Sequence, residues 1–89
     1  MNQMMAMGGG AAALRGRFSI LTITDGSATR ILITTATPHG LSGGENIVIS
    51  GTGTYDGAAT VFSVVSATTF KSASFSYSVP TSGGAWRFA

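Results

Sequence analysis

The sequence predicts an all-β protein, a small six- to seven-stranded antiparallel barrel or sandwich with an extended N-terminal arm. Three observations predict it. Apolar and β-branched residues come in strand-length rather than helix-length runs. The runs recur at spacings of about ten residues, as in small sandwiches and barrels. Gly, Pro, Asn and Asp turn residues stand between them, and no part of the body combines a helical period with a cap. At 89 residues the chain has room for one core and no second.

The first element is the arm, residues 1–16, MNQMMAMGGGAAALRG, with the domain proper over residues 17–89. The arm holds all four methionines and a glycine triplet and keeps no period. Methionine is unbranched and polarizable and fits irregular apolar surfaces, so Met1, Met4, Met5, Met7 and Leu14 are expected contacts to a neighbouring subunit. The other reading folds the arm back on its own body. Arg15 and Arg17 flank the arm, placed either to pair with acidic groups on a partner or to stay solvated. The apolar start lacks a basic n-region, and Gly8 to Gly10 interrupt it, so a cytoplasmic product is expected rather than a secreted one.

From Arg17 onward the elements follow in order. The runs Phe18 to Thr24 and Thr29 to Thr35 flank Asp25-Gly26 and read as a hairpin. Asn46 to Ser50 follows a glycine-rich turn, and Ala59 to Val65 follows Gly53-Thr54-Tyr55-Asp56-Gly57. Thr69-Phe70-Lys71 comes next. In Phe75 to Val79 aromatic and apolar residues alternate with serine, the period of a half-buried strand. Pro80 ends that run, and Ser82-Gly83-Gly84 turns the chain into a closing strand, Ala85-Trp86-Arg87-Phe88.

Composition narrows the function classes. Five Lys+Arg and three Asp+Glu make 9% of the chain charged, against roughly 25% for an ordinary soluble domain. Such a surface suits burial against partners, including further copies of the chain. The net charge of +2 is scattered over Arg15, Arg17, Arg30, Lys71 and Arg87, without the clustered basic face of a nucleic-acid protein. No apolar stretch reaches the ~20 residues of a membrane span. With no cysteine and one histidine, disulfides and a histidine-based metal site are not expected. His39 is the one candidate general acid or base. Pairing it with Asp25 or Asp56 and a serine needs geometry that no spacing here predicts, so it reads as a turn histidine bonded to backbone. The glycine clusters lack the strand, helix and Lys-Ser/Thr context of a phosphate cradle. Neither an enzyme nor a cofactor is expected.

The middle of the chain carries a pattern. Thr37-Pro38-His39-Gly40-Leu41-Ser42, Gly44-Glu45, Ile47, Ile49-Ser50-Gly51, Tyr55-Asp56-Gly57, Thr60-Val61, Val64 and Ser66-Ala67-Thr68-Thr69-Phe70 follow one another at compatible spacings. Together they resemble the small β-barrel repeat of bacteriophage tail and virion proteins, often labelled FCCH-like after a domain of ubiquitin-activating enzyme. The match covers residues 35–71. Glu45 departs from the commoner Asp, and the arm and the serine-rich Phe75 to Val79 run lie outside the repeat.

The resemblance implies a non-catalytic building block of the virion, made in the host cytoplasm, with the major capsid protein or other virion subunits as partners. The expected function is that of a capsid decoration or cement protein that clamps neighbouring shell subunits with its arm, as a homo-oligomer. The alternative is a tail, baseplate or fibre component acting as a spacer or binding host glycan. In the glycan case Trp86, as a possible surface aromatic, would stand with Tyr77 and Phe75 in a sugar platform; their other place is the core.

Overall fold

The structure, a computed structural model, describes residues 17–89. The expected contacts Met1, Met4, Met5, Met7, Leu14 and Arg15 lie outside the described residues, as does the rest of the arm. Seven strands form: β1 (Phe18–Asp25), β2 (Ile31–Thr35), β3 (Asn46–Ser50), β4 (Gly57–Ser66), β5 (Thr69–Ser72), β6 (Thr81–Ser82) and β7 (Ala85–Phe88). Every pairing is antiparallel. They run β1–β2–β5–β4–β3–β7 and return to β1, so six strands close a barrel, with β6 added beside β7 on β1. Of the two architectures expected, the barrel is the one adopted. Closure gives β1 and β3 a partner on each side, which protects a chain with few charges to guard its edges.

β6 and β7 are one strand with a kink. Thr22 stands opposite Ser82 and Ser19 opposite Ala85, the same offset on either side of the break. Across the break the Ile20 amide donates to Gly84 O and the Gly83 amide to Leu21 O, both at 2.9 Å. Gly84 has φ 96°, and a Cβ there would lie 2.7 Å from Thr52 Cγ2 and 3.1 Å from Ser50 O. Only glycine fits this closing seam.

The core is set by alternation. Ile31 and Ile33 of β2, Ile47 and Ile49 of β3, Ala59 and Val61 of β4 and Phe70 of β5 point inward, with Tyr55 and Leu41 added from loops. In β1, Ile20 and Ile23 are both buried although they are three residues apart. A β-bulge absorbs the extra residue: Ile20 pairs with Thr35 and Thr22 with Thr34, leaving Leu21 unpaired and exposed. Trp86, expected as a possible surface aromatic, is 2% exposed and is the largest core side chain. It packs against Phe18 at a ring separation of 4.8 Å and Phe88 at 5.2 Å. The reason is register, since Trp86 lies opposite the buried Ile49 of β3 and so shares its inward face.

Two local expectations are corrected. The hairpin joining β1 and β2 forms as expected, with its bounds shifted: Asp25 belongs to β1 and pairs with Ile31, Thr29 and Arg30 belong to the loop, and the loop is Gly26 to Arg30. Ser27, Ala28 and Thr29 all take left-handed φ, at 67°, 52° and 65°. The turn is held by Gly26 N to Arg30 O and Arg30 N to Ser27 O, both 2.9 Å, and by Asp25 Oδ1 accepting from Ser27 N at 2.8 Å. The second correction concerns Phe75 to Val79, which forms no strand. The Tyr55 hydroxyl replaces the missing partner strand, donating to Val79 O at 2.6 Å and accepting from the Ser78 and Val79 amides at 2.9 and 3.0 Å.

Candidate functional site

The titratable residues of the motif are engaged in holding backbone. His39 is buried where the loop after β2 crosses the β4–β5 turn. Its Nδ1 accepts from the Leu41 amide at 2.9 Å, which places the ring proton on Nε2, and Nε2 donates to Ser66 O at 2.8 Å. The ring meets Phe70 edge-on at 5.2 Å, and the His39 amide donates to Ala67 O. Both ring nitrogens are thus committed to backbone, and the structure does not bring His39 together with Asp25 or Asp56.

The three carboxylates are committed in the same way. Asp25 holds its own turn, and Glu45 Oε1 accepts from Ser42 N at 2.7 Å. Asp56 Oδ1 accepts from Thr52 N and Thr52 Oγ1, each at 2.8 Å, and Oδ2 from Gly53 N at 3.2 Å. The Thr52 backbone and side-chain donors, with Gly53, outweigh a small desolvation and hold the Asp56 carboxyl below its ordinary value. At Tyr55, burial pushes the phenol up, but the hydrogen bonds with Ser78 and Val79 together bring it below its ordinary value. Among the described residues no group of three or more acidic, His or Cys side chains is placed to hold a metal ion. No helix among them is long and apolar enough to cross a membrane.

What the barrel does present is a sheet face. In β2, Ile31 and Ile33 point inward, so Leu32 points outward; in β5, Lys71 lies between buried Phe70 and Ser72 and also faces out, and Arg30 at the end of the hairpin loop reaches over Phe62. Leu32, Lys71 and Ser63 stand opposite one another across β2, β5 and β4. Two bulges interrupt β4, at Phe62 and at Val65, because Val61 pairs with Ser72, Ser63 with Lys71 and Ser66 with Thr69. Phe62 is 51% exposed and Val65 57% exposed. The Arg30 guanidinium carbon lies 3.8 Å from the centre of the Phe62 ring, a cation–π contact worth about 0.5–1 kcal/mol when exposed. Arg30 Nε is buried beneath this stack without a hydrogen-bond partner.

Of the expected partner contacts, Arg17 is exposed just before β1, and Met1, Met4, Met5, Met7, Leu14 and Arg15 lie outside the described residues; of the aromatic platform, Trp86 is core, with Phe75 and Tyr77 half-buried against that core. The face around Phe62 was missed. Its one signal is Val61-Phe62-Ser63-Val64-Val65, which holds more apolar residues than a period of two can place inside. No protein-family model, no curated protein and no solved structure matches this chain.

Proposed function

We propose that this chain is a bacteriophage virion structural protein: a capsid decoration or cement protein, non-catalytic, set on the shell as a symmetric cluster. In this reading the barrel is the rigid body and residues 1–16 clamp neighbouring shell subunits. The observation that carries it is the motif between Thr37 and Phe70, with its resemblance to the virion barrel repeat. Support comes from how the motif residues are used. His39, Glu45, Tyr55 and Asp56 all bond backbone within the barrel, and Phe70 fills its centre. Residues engaged in this way make a durable body whose outside is free for assembly. The exposed Phe62 and Val65 fit a surface that becomes covered. The glycan-binding alternative loses its central aromatic, because Trp86 lies in the core.

The test is deletion of residues 1–16, followed by circular dichroism and by binding to purified shells that lack the protein. The truncated barrel is expected to remain folded and to fail to occupy the shell, whereas full-length protein restores a density visible by electron microscopy. Normal occupancy by the truncated protein would sink the clamp, and labelled protein found on the tail would place the module elsewhere in the particle.

A further inference from the structure

We propose that the outer face formed by Phe62, Val65, Leu32, Arg30 and Lys71 is a docking surface for an acidic protein segment that also carries apolar side chains. This deepens the reading above, resting on it only in taking the chain to work by docking, and it assigns the surface and the partner's chemistry.

The exposed apolar residues Phe62 and Val65 lie on β4, Lys71 on the neighbouring β5 and Leu32 opposite Lys71 on β2, while Arg30, just before β2, reaches across to Phe62. Arg30 is already placed, its guanidinium stacked on Phe62 at 3.8 Å. With its guanidinium carbon already seated over the ring and its Nε buried, Arg30 can offer its outer Nη groups to a carboxylate at little further cost in side-chain order. Within its own barrel the chain does not bring a carboxylate to these cations. Its side-chain carboxylates, Asp25, Glu45 and Asp56, each accept from amides in their own turns. Residues 1–16 contain no carboxylate and add the cation Arg15, so the arm can cover the apolar part of the face but not answer its charge. A second copy laid face to face would set Arg30 and Lys71 against their own counterparts. The remaining occupant is another protein that brings carboxylates to the two cations and an apolar side chain to Phe62 and Val65. The bulges at Phe62 and Val65 disturb the strand outline there, so recognition is by side chains rather than by addition of a strand.

The probe is a short fluorescent peptide of repeated Glu-Glu-Leu-Ser, measured by anisotropy against the full chain. Gln-Gln-Leu-Ser and Glu-Glu-Ser-Ser repeats, a single-stranded oligonucleotide and phosphatidylserine vesicles serve as comparisons. The acidic apolar peptide is expected to bind best and to weaken as salt is raised. Phe62→Ser and the pair Arg30→Gln with Lys71→Gln should each weaken it about tenfold. Arg87→Gln, a cation on β7 away from this face, should leave it unchanged and so separates a local site from net charge. Equal loss in the Arg87 variant, no loss in the Phe62 variant, or tighter binding of the oligonucleotide or the vesicles overturns the assignment. The assay contains no particle, so its failure is distinct from failure of the arm deletion on shells.

Discussion

At Asp56 a single carboxylate organises the turn between β3 and β4. It collects the Thr52 amide, the Thr52 hydroxyl and the Gly53 amide, while Thr52 Oγ1 in turn accepts from the Tyr55 amide at 2.8 Å. These donors favour the charged form, so the folded protein holds the Asp56 carboxyl below the value of 3.8 for the free group. The sign follows by linkage: a depressed folded pKa contributes stability that is complete above the unfolded value and is lost as pH falls through the folded one. The turn is therefore expected to loosen only in acid, below about pH 4. Following the Thr52 and Gly53 amide resonances against pH checks this. They should move together with an apparent pKa under 3.8, and Asp56→Asn should abolish the step. A midpoint above that value would contradict the arrangement. His39 is likewise occupied on both ring nitrogens by backbone, as expected of a turn histidine.

Among the elements, those with a plain alternation were legible and those that depend on a distant partner were not. Asn46 to Ser50 and Ala85 to Phe88 form strands where their patterns place them. Phe75 to Val79 has the best alternation in the chain and forms none, because alternation says which side chains are buried, whereas a strand also needs a neighbour for its amides. That neighbour is a phenol twenty residues and more away in sequence, the Tyr55 hydroxyl, and no local pattern announces it. The bulges were hidden for a related reason. An extra residue in one strand is visible only against its partner, so the apolar excess of Val61 to Val65 signals an outward-facing part but not the breaks at Phe62 and Val65, and Leu21 likewise shows its bulge only against β2. The Tyr55 contact gives the prediction at this scale. Tyr55→Phe keeps the ring in the core but strips the hydrogen bonds that fix Ser78 and Val79. Both residues are exposed, so water replaces part of the loss, and the cost is expected at about 1–3 kcal/mol. Hydrogen exchange should quicken at the Ser78 and Val79 amides far more than at those of β3. Unchanged exchange there would mean that the hydroxyl does not hold the segment.

For the molecule as a whole, stability depends on closing the ring between its first and last strands. Phe18 pairs with Trp86 and Ser19 with Ala85, and β7 also carries β3 on its other side, so β7 is the strand that completes the barrel. A closure this distant in sequence predicts slow, cooperative folding, because the loop entropy is lost before the contact is gained. A small barrel has about 0.05–0.15 kcal/mol of stability per residue, so no more than a dozen kcal/mol or so in all. Against that total Trp86→Ala, which empties the largest core position, is expected to cost about 3–5 kcal/mol, a large share of it. Trp86→Phe sets two effects against each other. The smaller ring leaves part of the site unfilled, yet it removes the indole Nε1, which is buried without a hydrogen-bond partner. An orphaned buried donor costs about 1–3 kcal/mol, comparable to the packing lost, so this variant should lie within about 1 kcal/mol of the parent. Urea unfolding of the three proteins measures both differences. Parent-like stability in Trp86→Ala would mean that the barrel does not close on this residue. A Trp86→Phe variant as unstable as the alanine would mean that the indole edge has a partner that matters more than its ring.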